Sequence, residues 1–408
     1  MLINQSLILS IEIALLLIAL VLFLPIAVLF IECSAALLLN FAKKHDCKAH
    51  RPNIAVLVPA HNEADGITAT LNTLILQLKP QDQLIVIADN CSDETAAIAS
   101  QSGVTVIERQ DYKHRGKGYA LDYALKFLEA NPPEVVVNVD ADCIVYPGTI
   151  DQIARLAAAT KRPVQSTYLM IQPSNSSPKD KISALAVKVK NLVRPIGLQQ
   201  LDLPCLLTGS GMAFPWSVIR TVSLANSKTV DDMQLGLDLA IAGYPPLYCQ
   251  DAQVIGRLME KQAAKSQRRR WEHGHIETLV NQVPRLIKAS MNQKRFDLLA
   301  IALDLSIPPL SLLVIIWSTT TLGGLFLGIL AGVWMPGIVL AIEGLILTIS
   351  IFVSWAKFGR DDVSVLTLLT IPFYILSKIT LYLAFLVKPQ TQWIRTERDV
   401  VDFTTSSK

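Results

Sequence analysis

The six cysteines of this 408-residue chain never fall into a CxxC pair. Neither a zinc site of ordinary spacing nor a disulfide framework is expected, and reduced thiols in a cytosolic region fit instead. A glycine-rich phosphate turn is missing too. The first candidate strand runs into "PAHNEAD" with no glycine before Gly66. A dinucleotide site needs G-x-G-x-x-G there so that backbone can approach a pyrophosphate. Strong charge of either sign is also lacking, with 37 basic against 34 acidic residues and a net charge of +3, and no nucleic-acid partner is expected.

Apolar residues are what the chain has in excess. Hydrophobic content is 51% and mean hydropathy +0.40, too apolar for an ordinary soluble enzyme of this length, and the apolar residues gather at the two ends. Residues 7–39 are almost wholly apolar, broken chiefly by Glu12, Pro25 and Glu32. The stretch exceeds the ~20 residues that span a bilayer core. It also exceeds the apolar core of a cleaved signal peptide and lacks that peptide's basic start, so a retained membrane helix is predicted. A second apolar block covers residues 298–387. Within it 298–317 and 334–355 are each long enough to span, while the Gly-rich stretch 319–333 reads as a loop, a helix extension or a short span. Residues 365–387 carry Pro372 near their start and Lys378 in their middle. A charge at mid-membrane is costly, so an interfacial or re-entrant helix is expected there.

Basic residues flank these blocks: Lys43, Lys44, Lys48 and Arg51 after the first, Lys288, Lys294 and Arg295 before the second. The positive-inside rule then places the middle region in the cytoplasm. A tail with Lys388, Arg395, Arg398 and Lys408 also belongs inside, which requires an even number of C-terminal spans. The expected organisation is an N-terminal transmembrane anchor (1–48), a cytosolic domain (49–290) and a C-terminal membrane domain with an interfacial helix and cytosolic tail (291–408). The whole would sit in the cell's inner (plasma) membrane.

The middle region alternates strands and helices. "NIAVLVPA" (53–60), "DQLIVIADN" (82–90), "VTVIERQ" (104–110) and "EVVVNVDADC" (134–143) read as strands. Between them "GITATLNTLILQL" (66–78), "DETAAIASQSG" (93–103) and "GKGYALDYALKFLEA" (116–130) read as helices. Such alternation implies right-handed βαβ crossovers, an α/β fold and a mostly parallel sheet whose ligands sit at the carboxyl ends of strands. Those ends are polar: Pro59, His61, Asn62 and Glu63, then Asp89 and Asn90, then Asp140 and Asp142. Carboxylates two residues apart on extended backbone point the same way. With no glycine turn, what remains is a nucleotide site built from side chains, with Asp140 and Asp142 holding Mg²⁺ or Mn²⁺ against phosphates. A lone DxD is otherwise a solvated turn.

The motifs "VPAHNE", "ADNCSDET", "RGKGYAL", "DADC", "LTGSGM", "VDDMQLGLDLAIAGY" and "QRRRW", in this order, resemble family 2 glycosyltransferases of the GT-A fold. The similarity is to the membrane-embedded branch that includes cellulose, chitin and hyaluronan synthases. The resemblance implies that Asp89 contacts the nucleotide base and that Pro59, His61 and Glu63 form the first donor loop. It implies that Asp140 and Asp142 meet the metal and diphosphate, and that Asp232 is the general base. Gln267, Arg270 and Trp271 match QxxRW, which engages diphosphate and acceptor sugar. Lys117 fits a nucleotide contact or a solvated helix start; Asp232 also fits a helix N-cap, and Trp271 ordinary core.

Elementary chemistry agrees with these roles. Inverting transfer needs a base for the attacking hydroxyl and positive charge for the departing diphosphate, and arginine supplies planar, bidentate phosphate contacts. Two departures stand out: Asp231–Asp232 replaces the family's Glu–Asp, and His61 replaces an aromatic. That histidine touches nucleotide or fills the turn. The expected activity is transfer from a UDP-sugar to a growing polysaccharide. The alternatives are single-step glycosylation of a membrane lipid and a non-catalytic nucleotide-sugar receptor; intact Asp142, Asp232 and Arg270 argue against the receptor.

Overall fold

A computed structural model of the chain describes residues 5–38, 50–171, 176–225, 231–257 and 261–387. These form two compact units. One holds the described residues of 50–171, 203–257 and 261–274, the other those of 5–38, 176–202 and 275–387. Lys43, Lys44, Lys48 and the basic tail from Lys388 onward lie outside the described residues.

The first unit is built on a sheet of eight strands: β1 (Ile54–Ala60), β2 (Gln83–Asp89), β3 (Thr105–Arg109), β4 (Val135–Asn138), β5 (Cys143–Val145), β6 (Val164–Ile171), β7 (Met212–Pro215) and β8 (Leu247–Arg257). Their order is β3-β2-β1-β4-β7-β6-β8-β5. Pairings among β3, β2, β1 and β4 are parallel, as is β6 with β8; β7 runs antiparallel to both its neighbours and β5 antiparallel to β8. The period of two along a strand explains the layers. Ile54, Val56 and Val58 of β1 face the helices Ile67–Ile75 and Thr149–Thr160 in one core, while Ala55 and Leu57 face the helix Lys117–Leu128 in the other.

The four strands and three helices expected between residues 53 and 143 are present with shortened ends. The fourth strand is corrected: it stops at Asn138, Asp140 and Asp142 lie in the following loop and turn rather than on extended backbone, and Cys143 opens β5. Pro59 lies inside β1, paired in register with Ile87 of β2. Proline is tolerated in this interior strand because the pairing with β4 has already ended at Leu57–Asn138, so no ladder bond is lost on that side.

The second unit contains three helices long and apolar enough to cross a membrane: Gln5–Leu38, Leu310–Ala331 and Met335–Phe358. The expected span over 298–317 is corrected. A helix Phe296–Leu305 stops before Pro308 and Pro309, and a new one starts at Leu310. Two consecutive prolines remove N–H donors and push the preceding residue out of the helical region. The Gly-rich 319–333 stretch extends that new helix to Ala331. Its glycines serve close packing: a Cβ on Gly324 would lie 3.0 Å from the backbone nitrogen of Gly337, and one on Gly328 would lie 2.6 Å from the Trp334 ring. The last apolar stretch forms the short helices Val365–Leu368 and Ile371–Val387. There the Lys378 ammonium lies 5.3 Å from the Tyr374 ring centre.

Between β6 and β7 the chain leaves the sheet and contributes to the second unit the helices Pro178–Lys188 and Arg194–Gln200, joined by a π-turn Val189–Val193. A capping box of Ser177 and Asp180 starts the first. Arg194 is its anchor. The guanidinium donates to Glu32 at 2.9 Å and to the carboxylate of Asp304, and to the Asp304 carbonyl at 2.6 Å. Gly197 permits that approach, because any Cβ would collide with the Glu32 backbone.

Candidate active site

Beyond Asn138, where β4 ends, the backbone is tied to the loop before β7. Asn138 Nδ2 donates to the Gly209 carbonyl at 3.0 Å, and the Asp140 N–H donates to Ser210 Oγ at 3.0 Å. Gln165 fixes the same loop from β6, donating to the Ser210 carbonyl and accepting from the Thr208 N–H. Gly209 has φ +107°, a conformation that side chains resist. A Cβ there would lie 3.0 Å from Oδ2 of Asp232 and 4.0 Å from Oδ2 of Asp140. The two carboxylates therefore flank one point of backbone. Lys117, which opens the helix Lys117–Leu128, donates from Nζ to both Asp140 Oδ1 and the Gly209 carbonyl.

This is a concentrated set of charges that remains open to solvent, with the Lys117 and Asp140 side chains 25% and 28% exposed. Burial pushes the Asp140 carboxyl above its usual range; Lys117 opposes this, and the neighbouring Asp142 adds to it. Burial works to lower the Lys117 ammonium, but Asp140 and Asp232 outweigh it and hold the group above the usual lysine value. A small cleft opens alongside, with Lys117 and Asp232 at its polar edge and Leu121, Met212, Leu224 and Leu235 in its wall.

Asp140, Asp142 and Cys143 bring ligand atoms within 4.8 Å of one another. Two carboxylates are the donors a hard divalent cation prefers. Burial and the adjacent Asp142 hold the Cys143 thiol well above its usual range, and soft sulfur suits a hard cation less well than the two carboxylates do. The residues fit Mg²⁺ or Mn²⁺.

The loops after β1 and β2 are laced together. His61 Nδ1 lies 2.6 Å from the Asp89 carbonyl, Asn62 exchanges hydrogen bonds with Ser92, and the Glu63 N–H donates to Thr95 Oγ1 at 2.8 Å. Asn62 and Asn90 adopt positive φ at these turns, 56° and 52°, which asparagine accepts more readily than most residues. His61 thus has a turn-filling partner. The Asp89 carboxylate accepts from Arg109 at 2.6 Å and from Asn90 at 3.0 Å. Burial raises its pKa and Arg109 pulls the other way.

The structure gathers Lys117, Asp140 and Asp232 around Gly209, with Asp142 beside them, and gathers His61, Glu63 and Asp89 at the adjoining strand ends. Pro59 stands in β1 itself. Arg270 and Trp271 are half-buried on the helix Lys261–Gln293, and the side chain of Gln267 lies outside the described residues. Sequence reasoning passed over Gly209 and Ser210, although "LTGSGM" brackets a serine with two glycines. It also passed over Arg109, the polar end of the third strand.

Residues 52–274 match the family described as glycosyltransferase like family 2. A 112-residue stretch is 33% identical to the 4,4'-diaponeurosporenoate glycosyltransferase of Staphylococcus aureus (strain MRSA252), covering 26% of this chain and 29% of that protein. Over 117 residues the chain is 24% identical to the hyaluronan synthase of Streptococcus pyogenes, 26% of this chain and 27% of the synthase. These matches span under a third of the curated relatives' length. Among solved structures, the mannosyltransferase PcManGT from Pyrobaculum calidifontis, in complex with GDP-Man and Mn²⁺, superposes with a TM-score of 0.51 at 17% identity. That superposition covers 86% of this chain and 99% of that one, and the two share the GT-A fold.

Proposed function

The chain belongs to the glycosyltransferase family 2, and on that premise we propose a membrane-bound inverting enzyme that moves a sugar from a UDP-sugar to an acceptor presented at the membrane. The convergence of Lys117, Asp140 and Asp232 on Gly209 carries this reading. Asp232 takes the proton of the acceptor hydroxyl as that oxygen bonds to the anomeric carbon from the face opposite the diphosphate. The bond from that carbon to the diphosphate breaks, and its electron pair leaves with the nucleoside diphosphate. Lys117 and Arg270 carry positive charge to the departing phosphates. Asp140 and Asp142 would hold Mg²⁺ or Mn²⁺, which supplies further neutralisation of the diphosphate. Pro59, His61, Glu63 and Asp89 line the nucleoside, and Gln267 and Trp271 serve the acceptor, Trp271 with a flat apolar face.

For the acceptor, helix packing favours a membrane lipid. Leu310–Ala331 and Met335–Phe358 approach backbone to backbone at Gly324 and Gly337, and Gln5–Leu38 packs along both. Backbones this close at Gly324 and Gly337 leave no room for a sugar chain at that crossing. The relative named 4,4'-diaponeurosporenoate glycosyltransferase acts, by its name, on diaponeurosporenoate rather than on a polysaccharide. A growing polysaccharide is the second reading, favoured by the QRRRW pattern and by the hyaluronan synthase match. In either case the sheet-bearing unit faces the cytoplasm of the plasma membrane, as the basic residues Lys288, Lys294 and Arg295 call for.

Purified protein incubated with radiolabelled UDP-sugars, Mn²⁺ or Mg²⁺ and a membrane lipid extract tests the proposal; GDP-sugars serve as the second donor class. One labelled species extractable into organic solvent is expected, and EDTA should abolish it. A ladder of sugars would overturn the lipid acceptor, activity in EDTA the metal, and no transfer from any donor the enzyme itself.

A further inference from the structure

We propose that Lys117 competes with the divalent cation for Asp140 and releases it only when a diphosphate offers its ammonium another partner, so that metal and nucleotide bind as a coupled pair. The proposal rests on the donor site described above and concerns the order in which that site fills.

Asp140, Asp142 and Asp232 place three carboxylates close together. Left unopposed, they would attract a divalent cation by themselves. The geometry supplies an internal cation instead: Nζ of Lys117 is bonded to Asp140 Oδ1 and anchored by the Gly209 carbonyl. Gly209 is held in turn by Asn138 at 3.0 Å, so the ammonium has a built acceptor pair. A metal held by Asp140 and Asp142 would have to share Asp140 with that ammonium, and two cations on one carboxylate repel. A diphosphate changes the balance, because its oxygens accept from the same three N–H donors. Lysine suits the exchange, since its charge is a point at the end of a flexible stem. Its place at the start of the helix Lys117–Leu128 puts it where helix N–H groups also favour an anion. Lys117 is thus an ordering residue as well as a phosphate contact. It keeps a strong cation site from being occupied in the absence of substrate.

The test is Mn²⁺ binding, read by the loss of the free-ion electron paramagnetic resonance signal, for wild type, K117M, K117Q and K117R. Each is titrated alone and with saturating UDP, with GDP as a second probe. In wild type, UDP should tighten Mn²⁺ by the roughly 5–150-fold usual for coupled sites, and Mn²⁺ should tighten UDP by the same factor. K117M and K117Q should bind Mn²⁺ alone at least ~10-fold more tightly than wild type, with the coupling reduced by a matching factor. K117R keeps the positive charge and should hold the Mn²⁺ affinity without nucleotide near the wild-type value. Equal Mn²⁺ affinity of all four proteins without nucleotide would overturn the competition; if D142N then lost Mn²⁺ binding, the metal site would stand. Absence of Mn²⁺ binding in every protein, with or without nucleotide, would overturn both. Two neutral variants, each checked by thermal melting, guard against misfolding of one.

Discussion

The Lys117 and Arg194 clusters each set a basic side chain among carboxylates, and they differ in exposure. Around Gly209, Lys117 meets Asp140 and feels Asp232, with the lysine and Asp140 about a quarter exposed. In the helical unit Arg194 meets Glu32 and Asp304, and the three side chains are 3–5% exposed. A flexible ammonium on half-open carboxylates can be traded for a metal and a phosphate. A planar guanidinium buried between two acids on separate chain segments cannot be traded without leaving charge uncompensated. The first cluster is suited to chemistry and the second to joining the Gln5–Leu38 helix, the 176–202 excursion and the end of Phe296–Leu305.

The contrast is sharpest if each cluster is broken once. D232N should lower turnover by about 10²- to 10⁴-fold while leaving melting temperature and calorimetric UDP affinity nearly unchanged. A collapse of UDP affinity would assign Asp232 to the donor site or the fold instead. R194M should do the reverse, costing about 3–5 kcal/mol of stability because it strands two buried acids. Its signature is a large drop in melting temperature in detergent, with any residual folded protein keeping its affinity for UDP. R270A sits between these extremes. Loss of one charge-assisted contact should weaken UDP binding by about 1.5–3 kcal/mol, read by calorimetry, whereas W271A should bind UDP normally and fail in transfer.

The smallest effect concerns pH. His275 is buried beside the Arg194 cluster, and burial first, then Lys190 and Arg194, hold its pKa well below the ordinary 6.5. Below 6.5 the unfolded histidine takes up a proton that the folded one refuses. The stability it contributes is complete above that pH and is lost by about 1.4 kcal/mol per pH unit as pH falls toward the folded pKa. H275Q should flatten the melting temperature between pH 6.5 and 5 relative to wild type. An unchanged slope would assign the acid sensitivity to the carboxylates.

Much of the sheet-bearing unit was legible because its cause is local. Val135, Val136 and Val137 announce a buried strand by β-branching, and Asp140 and Asp142 announce a site by standing where such a strand must stop. The break at Pro308–Pro309 was equally local and was nevertheless read as part of a span, because hydropathy averages over the two residues that lack donors. The antiparallel return of β7 was not visible in sequence. β7 is only four residues long, and its partners β4 and β6 lie far from it in the chain.

By itself the sequence determined the period-two strands, the helices that alternate with them, the apolar ends and the polar residues at the strand termini. Each of these follows from neighbours a few residues apart. Only the tertiary structure decided which of those residues meet. Lys117 reaches the Gly209 carbonyl across 92 positions and Arg194 reaches Glu32 across 162, and no local preference encodes either pairing. They arise because the sheet brings its strand ends to one edge and because a buried charge, once desolvated, is stable only where the fold delivers its counter-charge.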